Sequence, residues 1–162
     1  MMNIVLLILG ILLLALSIYL CVKPHIPAVI AAYGGIWMLQ WSEFLAFPSV
    51  MLTYWGIMVM FVIIIVTMLP QNLVKATQGT THITLGSLCG MLSGATLGYA
   101  ALIIGAFVGA AVGGVIFART PKGAGLNFPS SRFLQYVCAK GLPTVIAISI
   151  VGIAIIVAAK EY

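Results

Sequence analysis

Few side chains in this sequence can do chemistry, and their spacing limits what that chemistry could be. There are two acids, Glu43 and Glu161, no aspartate, and two histidines, His25 and His82. Histidine titrates near neutral pH and ligates metals, and both histidines fall at expected ends of apolar runs. Two imidazoles without a carboxylate or a nearby thiolate make a poor metal site, so neither a metal nor any other cofactor is expected. Cys21, Cys89 and Cys138 are odd in number, widely spaced and form no CxxC pair, which leaves them as small apolar packing residues.

Ser93, in Gly90-Met91-Leu92-Ser93-Gly94, has the surroundings of an intramembrane serine nucleophile. A nucleophile needs a base within hydrogen-bond reach, and neither histidine is expected at membrane depth. Ser93, like Thr84, Ser87 and Thr96, is therefore expected to bond backbone or a neighbouring helix. Glu43 follows Trp41-Ser42 and precedes Pro48, which reads as a solvated loop. With no acid–base pair, metal cluster or activated nucleophile to assemble, the chain is expected not to be an enzyme.

The elements that carry these residues follow from composition. Of 162 residues, 64% are hydrophobic and 6% are charged. A soluble domain has roughly a quarter charged residues, so this chain cannot cover a water-facing surface. The fold expected is all-α: a single polytopic transmembrane helical bundle over residues 1–162, with the lipid bilayer as its first partner. The net charge of +5 sits in loops, where it orients the chain and meets lipid headgroups, so no nucleic acid is expected. The opening Met1-Met2-Asn3 lacks a basic leading region and no cleavage site follows, so residues 4–22 read as a retained span.

Prolines punctuate the rest. Spans are expected at 4–22, 27–41, 49–69 and 143–159. Residues 83–118 carry no charge and no proline, and as one helix would be about 54 Å long, far more than a crossing needs. They are expected to fold into two arms, 83–98 and 102–118, turning around Tyr99–Leu102. Each arm has its own glycine ladder: Gly86, Gly90, Gly94 and Gly98, then Gly105, Gly109 and Gly113. Glycine every fourth residue opens a groove on one helix face, a glycine zipper for close packing. Its partner is the other arm, a neighbouring span, a second copy, or another membrane protein.

Loop charges favour this hairpin. With an external N-terminus and two arms, Lys23, Lys75, Arg119, Lys122, Arg132 and Lys140 share the cytoplasmic side and only Lys160 lies outside. Trp37, Trp41, Tyr54 and Trp55 flank the loop at Glu43 as one interfacial belt. Residues 130–140 place Phe133, Leu134 and Val137 opposite Ser131, Arg132 and Gln135, which predicts a short amphipathic helix on the cytoplasmic surface. Lys140 would anchor it at the interface, with Pro143 opening the last span. Arg119, Lys122, Arg132 and Lys140 form a candidate contact for an anionic lipid or an acidic partner segment.

Several pieces carry a family resemblance: Lys23-Pro24-His25-Ile26-Pro27, Ala32-Tyr33-Gly34-Gly35, Gly86-Ser87-Leu88-Cys89-Gly90, and Gly105-Ala106-Phe107-Val108-Gly109-Ala110. In these the chain resembles the bacterial membrane-protein family known as domain of unknown function 456. The resemblance implies an early span ending in a proline motif, a glycine-rich hairpin, a final span, and location in the bacterial cytoplasmic (inner) membrane. It implies no chemistry. Where family members often carry an acid after the second ladder, this chain has Gly113-Gly114, and it has no proline near the hairpin turn.

Three classes of function remain. The first is a non-catalytic accessory, scaffold or assembly subunit that packs through glycine-zipper helices. The second is a small oligomeric pore or transporter for a lipid or other uncharged substrate, since ion transport usually leaves ionisable groups inside the spans. An enzyme comes last.

Overall fold

A computed structural model describes residues 1–22, 26–72, 78–127 and 129–161. Among them the secondary structure is helical throughout. Six α-helices succeed one another: α1 Met2–Val22, α2 Ile26–Trp41, α3 Ser49–Met68, α4 Thr80–Ala95, α5 Tyr99–Ala118 and α6 Ser131–Glu161, with a 3-10 turn at Ala124–Leu126 before α6. Four of these (α1, α3, α5 and α6) are long and apolar enough to cross a membrane, with mean hydropathy between 2.4 and 3.0. At 16 residues each, α2 and α4 rise only about 24 Å. That is short of a hydrocarbon core of about 30 Å.

The bundle is arranged around α6. From Thr144 to Ala154 every residue of this helix is buried, and it contacts all five other helices. A helix apolar on all sides belongs at such a centre. The other helices show the complementary pattern. Ile4, Ile8, Ile11 and Leu12 on α1, and Ile57, Met60, Phe61 and Ile64 on α3, are all exposed. On a soluble protein faces of this size would drive aggregation, whereas here they are the surface a bilayer covers.

Successive helices run antiparallel, so the connections gather at two ends. The Ser17 hydroxyl donates to Ala28 O at 2.9 Å, joining the end of α1 to the start of α2. Thr80 Oγ1 donates to Val22 O at 2.7 Å, and Thr84 Oγ1 to Cys21 O at 3.2 Å, bringing the start of α4 to the same end. The end of α5 and the start of α6 lie there too, because Phe117 stacks on Tyr136 with ring centroids 5.8 Å apart. At the opposite end, Lys160 Nζ sits 4.9 Å from the Tyr99 ring centroid, and Glu161 Oε1 accepts from Ala46 N at 3.4 Å.

Two expected boundaries are corrected. The hairpin turns at residues 96–98, three residues before the expected place, and α5 already begins at Tyr99. Gly98 makes the turn with φ +121°, a left-handed conformation that L side chains rarely adopt. The separate surface helix at 130–140 does not form either, since residues 131–161 make one helix with Pro143 inside it. Proline removes there the backbone donor that Ala139 O would receive, and the helix runs through because this turn is buried among packed neighbours. Leu134, expected on the apolar face, is 63% exposed.

Candidate functional site

The arms of the hairpin meet backbone to backbone. A methyl group placed on Gly86 would run into the carbonyl oxygen of Gly109, and one on Gly90 into that of Gly105. The clashes are reciprocal: Gly105 faces Gly90 O and Gly109 faces Gly86 O. Further along, Gly94 faces Ala101 O and Gly113 faces His82 O. Six of the seven ladder glycines thus lie against the backbone of the other arm. Gly98 does not: a methyl there meets nothing within 4 Å, and its expected place in the packing is taken by the turn. Contact this close gains dispersion and Cα–H···O attraction along the whole seam.

A second glycine holds the hairpin in the bundle. Gly79, at φ +80°, is enclosed between the Tyr136 hydroxyl and the Phe117 ring, and the Tyr136 hydroxyl donates to Gln78 O. The His82 ring lies 5.7 Å from that of Phe117. One small cluster therefore ties the entry to α4, the end of α5 and the first turns of α6.

Hydroxyl groups line the other side of α4. Thr80 and Thr84 bond carbonyls of α1 as described, and Thr84 also donates to Thr80 O at 2.8 Å. Ser87 on α4 and Ser149 on α6 are wholly buried, and neither hydroxyl has a hydrogen-bond partner among the described residues. Ser93 is exposed and donates to Gly90 O at 2.9 Å, while Thr96 Oγ1 donates to Ser93 O at 3.1 Å. Ser93 and His82 are eleven residues apart on one helix, about 16 Å, too far for a base to serve a nucleophile. Among the described residues no three His, Cys, Asp or Glu side chains are grouped to hold a metal. His25 lies outside the described residues.

Charge is divided between the two ends. Arg119, Lys122 and Arg132 are exposed at the end where α5 closes and α6 begins. Lys23 and Lys75 lie outside the described residues. Lys140 departs from expectation: it is 4% exposed and does not anchor at a surface. The unbroken α6 explains this, because it carries Lys140 nine residues in from Ser131, on a side that faces the bundle. At the opposite end Glu43 is exposed in the turn after α2, with φ 61°.

Among the described residues, grooves open on the outer surface. One, about 610 Å³, lies between α2 and α3. Ser49 and Thr53 line it near the Glu43 end, with Tyr33 and Trp37 on the α2 side and Phe61 and Ile64 at greater depth. Its α2 wall is the edge-to-face pair Tyr33–Trp37 at 6.3 Å, and Trp37 in turn meets Trp41 at 5.9 Å beyond the groove. A second groove, about 560 Å³, follows the outer seam of the hairpin, and a third, about 470 Å³, runs beside it along α5. A fourth, about 530 Å³, is wholly apolar and lies between α1 and α6.

Sequence reasoning passed over several close contacts outside the hairpin. A methyl on Gly10 would meet Leu39 Cγ at 2.9 Å and Gly35 O at 3.1 Å, so α1 and α2 cross on a glycine pair. Gly56 receives the Tyr33 hydroxyl, and Gly152 receives the Met91 sulfur. The signal available was a lone glycine inside an apolar helix, which has no period to draw attention to it. Comparisons with protein-family models, with curated proteins and with solved structures find no match for this chain.

Proposed function

We propose that this chain is a non-catalytic accessory, scaffold or assembly subunit of a bacterial inner membrane, built on a glycine-zipper hairpin. The observation that carries the proposal is the filled axis of the bundle. Ala147, Ile148 and Ile150 of α6 are fully buried, and the grooves described above open outward. Such a molecule presents surfaces to membrane neighbours, and its described residues pack α6 without a lumen beside these side chains. The ladders serve the hairpin itself, so a partner would meet the outer faces. Three exposed cations at one end and both acids at the other support a cytoplasmic basic end, and hence an external N-terminus. Kinship with the domain of unknown function 456 family belongs to the same proposal and contributes architecture only.

The runner-up is a small oligomeric pore or transporter for a lipid or other uncharged substrate. It draws on the α2–α3 groove, where hydroxyls and ring edges near one end give way to apolar walls at depth, as an amphipathic substrate would need. Purification of the tagged protein at native expression in mild detergent, followed by mass spectrometry of the intact assembly, separates the two readings. Other subunits at fixed stoichiometry are expected for an accessory role. A monomer or homo-oligomer without them would turn the choice to the transporter, with solute flux into reconstituted liposomes as the next measurement.

A further inference from the structure

We infer that the hairpin carries a docking site for one anionic diacyl phospholipid in the leaflet at the basic end. The inference does not depend on which role above is correct.

Two of the grooves are neighbours. The groove along the hairpin seam and the groove along α5 share one wall, the ridge of Val108, Val112 and Ile116. These side chains are at least half exposed and stand one above another at helical spacing. The two troughs therefore run side by side along the ridge, a shape suited to two acyl chains joined at one end.

Their length fits as well. From Phe107 to Arg119 the helix rises about 18 Å, and from His82 to Ser93, the α4 limits of the seam groove, about 16 Å. Half of a hydrocarbon core of about 30 Å is about 15 Å, so each trough is one leaflet deep.

Both troughs end at the basic end, and charge decides which headgroup they would receive. The α5 trough is apolar along its length and is closed by Arg119. Backbone bonds from Arg119 N to Val115 O and Ile116 O, each 3.2 Å, fix the residue at the end of α5. The mouth of the seam trough is lined by His82, held beside the last turn of α5 by its contact with Phe117. A guanidinium binds a phosphate through paired N–H donors, and an imidazole can add a further one. Lys122 and Arg132 are exposed at the same end, and both acids of the chain lie at the other. A zwitterionic lipid would bring its own cation into this field, whereas an anionic one would not.

The test is native mass spectrometry of the protein in a non-ionic detergent, titrated with phosphatidylglycerol or phosphatidylcholine. Phosphatidylglycerol should be retained at roughly fivefold lower concentration, about what one surface cation contributes. Arg119→Gln should abolish that preference and Arg119→Lys should keep most of it. Cys89→Trp, which fills the seam trough from an exposed position, should weaken retention of both lipids. Lys160→Gln, at the far end, should change nothing.

The inference fails if wild-type protein retains both lipids equally, if Arg119→Gln keeps the preference, or if Lys160→Gln removes it as fully as Arg119→Gln. A lipid-free dimer that Cys89→Trp splits would also overturn it, since a second copy would then occupy the face. Should Arg119→Gln not yield folded protein, Cys89→Trp and Arg119→Lys carry the same test.

Discussion

The α4–α5 hairpin and the α2–α3 pair are both antiparallel, yet they are held together by opposite means. In the hairpin, side chains are absent from the interface and the backbones touch through Gly86, Gly90, Gly105 and Gly109. Between α2 and α3 the contact is made by a large side chain: Tyr33 reaches across, donates to Leu52 O at 3.2 Å and settles against Gly56. The first arrangement closes the arms on each other and leaves a trough, about 560 Å³, only along their outer seam. The second leaves a groove of about 610 Å³. In a bilayer, where lipid tails are as apolar as leucine, helices associate by packing and interhelical hydrogen bonds more than by expulsion of water. Backbone contact uses packing fully and makes a rigid element. A bridging tyrosine relies on one hydrogen bond and leaves room for a ligand.

The difference is sharpest when bulk is added to the hairpin. Gly90→Leu would drive a side chain into Gly105 O, part of a backbone that cannot turn aside. The arms would have to separate along the whole seam, at a cost above ~3 kcal/mol, the upper range for overpacked cores. For a chain of this size that lowers the unfolding midpoint by about 10 °C or more. Thermal unfolding in detergent, followed by tryptophan fluorescence, should show this loss, with Gly90→Ala falling in between. A variant as stable as the wild type would mean that the two backbones do not meet there.

Helical class and membrane character were legible because they rest on composition, which no tertiary detail reverses. The two glycine rows were legible for a similar reason, since a period of four is visible without a structure. Their register was not. The step from Gly98 to Gly105 shows that the ladder breaks, but it does not say on which side the chain turns, and Gly98 itself turned out to be the hinge. The end of the chain was misread because Pro143 and the polar face of 131–135 together resemble a boundary. Inside a bundle, packed neighbours make a proline tolerable, and the helix runs through. Lys140 followed from that error, as a lysine beside a break snorkels outward while a lysine on a continuous central helix is carried inward. The grooves depend on how far α3 stands from α2, which no local pattern encodes.

A smaller effect tests the tyrosine bridge. A methyl on Gly56 would sit 2.6 Å from the Tyr33 hydroxyl oxygen, the far end of a side chain that can swing away. Gly56→Ala should therefore cost only about 1 kcal/mol, chiefly the hydrogen bond to Leu52 O. In a Tyr33→Phe background that bond is already gone and the nearest atom is the ring carbon Cζ at 3.2 Å, so the cost of Gly56→Ala should fall to a few tenths, about 0.3 kcal/mol. A double-mutant cycle on unfolding midpoints in detergent should return the difference as a coupling of about 0.7 kcal/mol. Additive losses would show that the hydroxyl does not rest on Gly56, and the groove wall would then need another support.

The smallest effect should have the opposite sign. Gly34 lies in the middle of α2, and a methyl placed on it meets nothing within 4 Å. Its neighbour Gly35 is different, since a methyl there would reach Leu14 at 2.9 Å and Gly10 O at 3.2 Å. A glycine without a contact contributes only backbone freedom, which alanine reduces. Gly34→Ala should therefore raise stability by about 0.5 kcal/mol, while Gly35→Ala should lower it. Two adjacent glycines with opposite responses would show that spatial contact, and not the presence of glycine in a membrane helix, separates a packing seam from an idle position. Equal responses at Gly34 and Gly35 would place the crossing of α1 and α2 elsewhere, and with it the contact between Gly10 and Leu39.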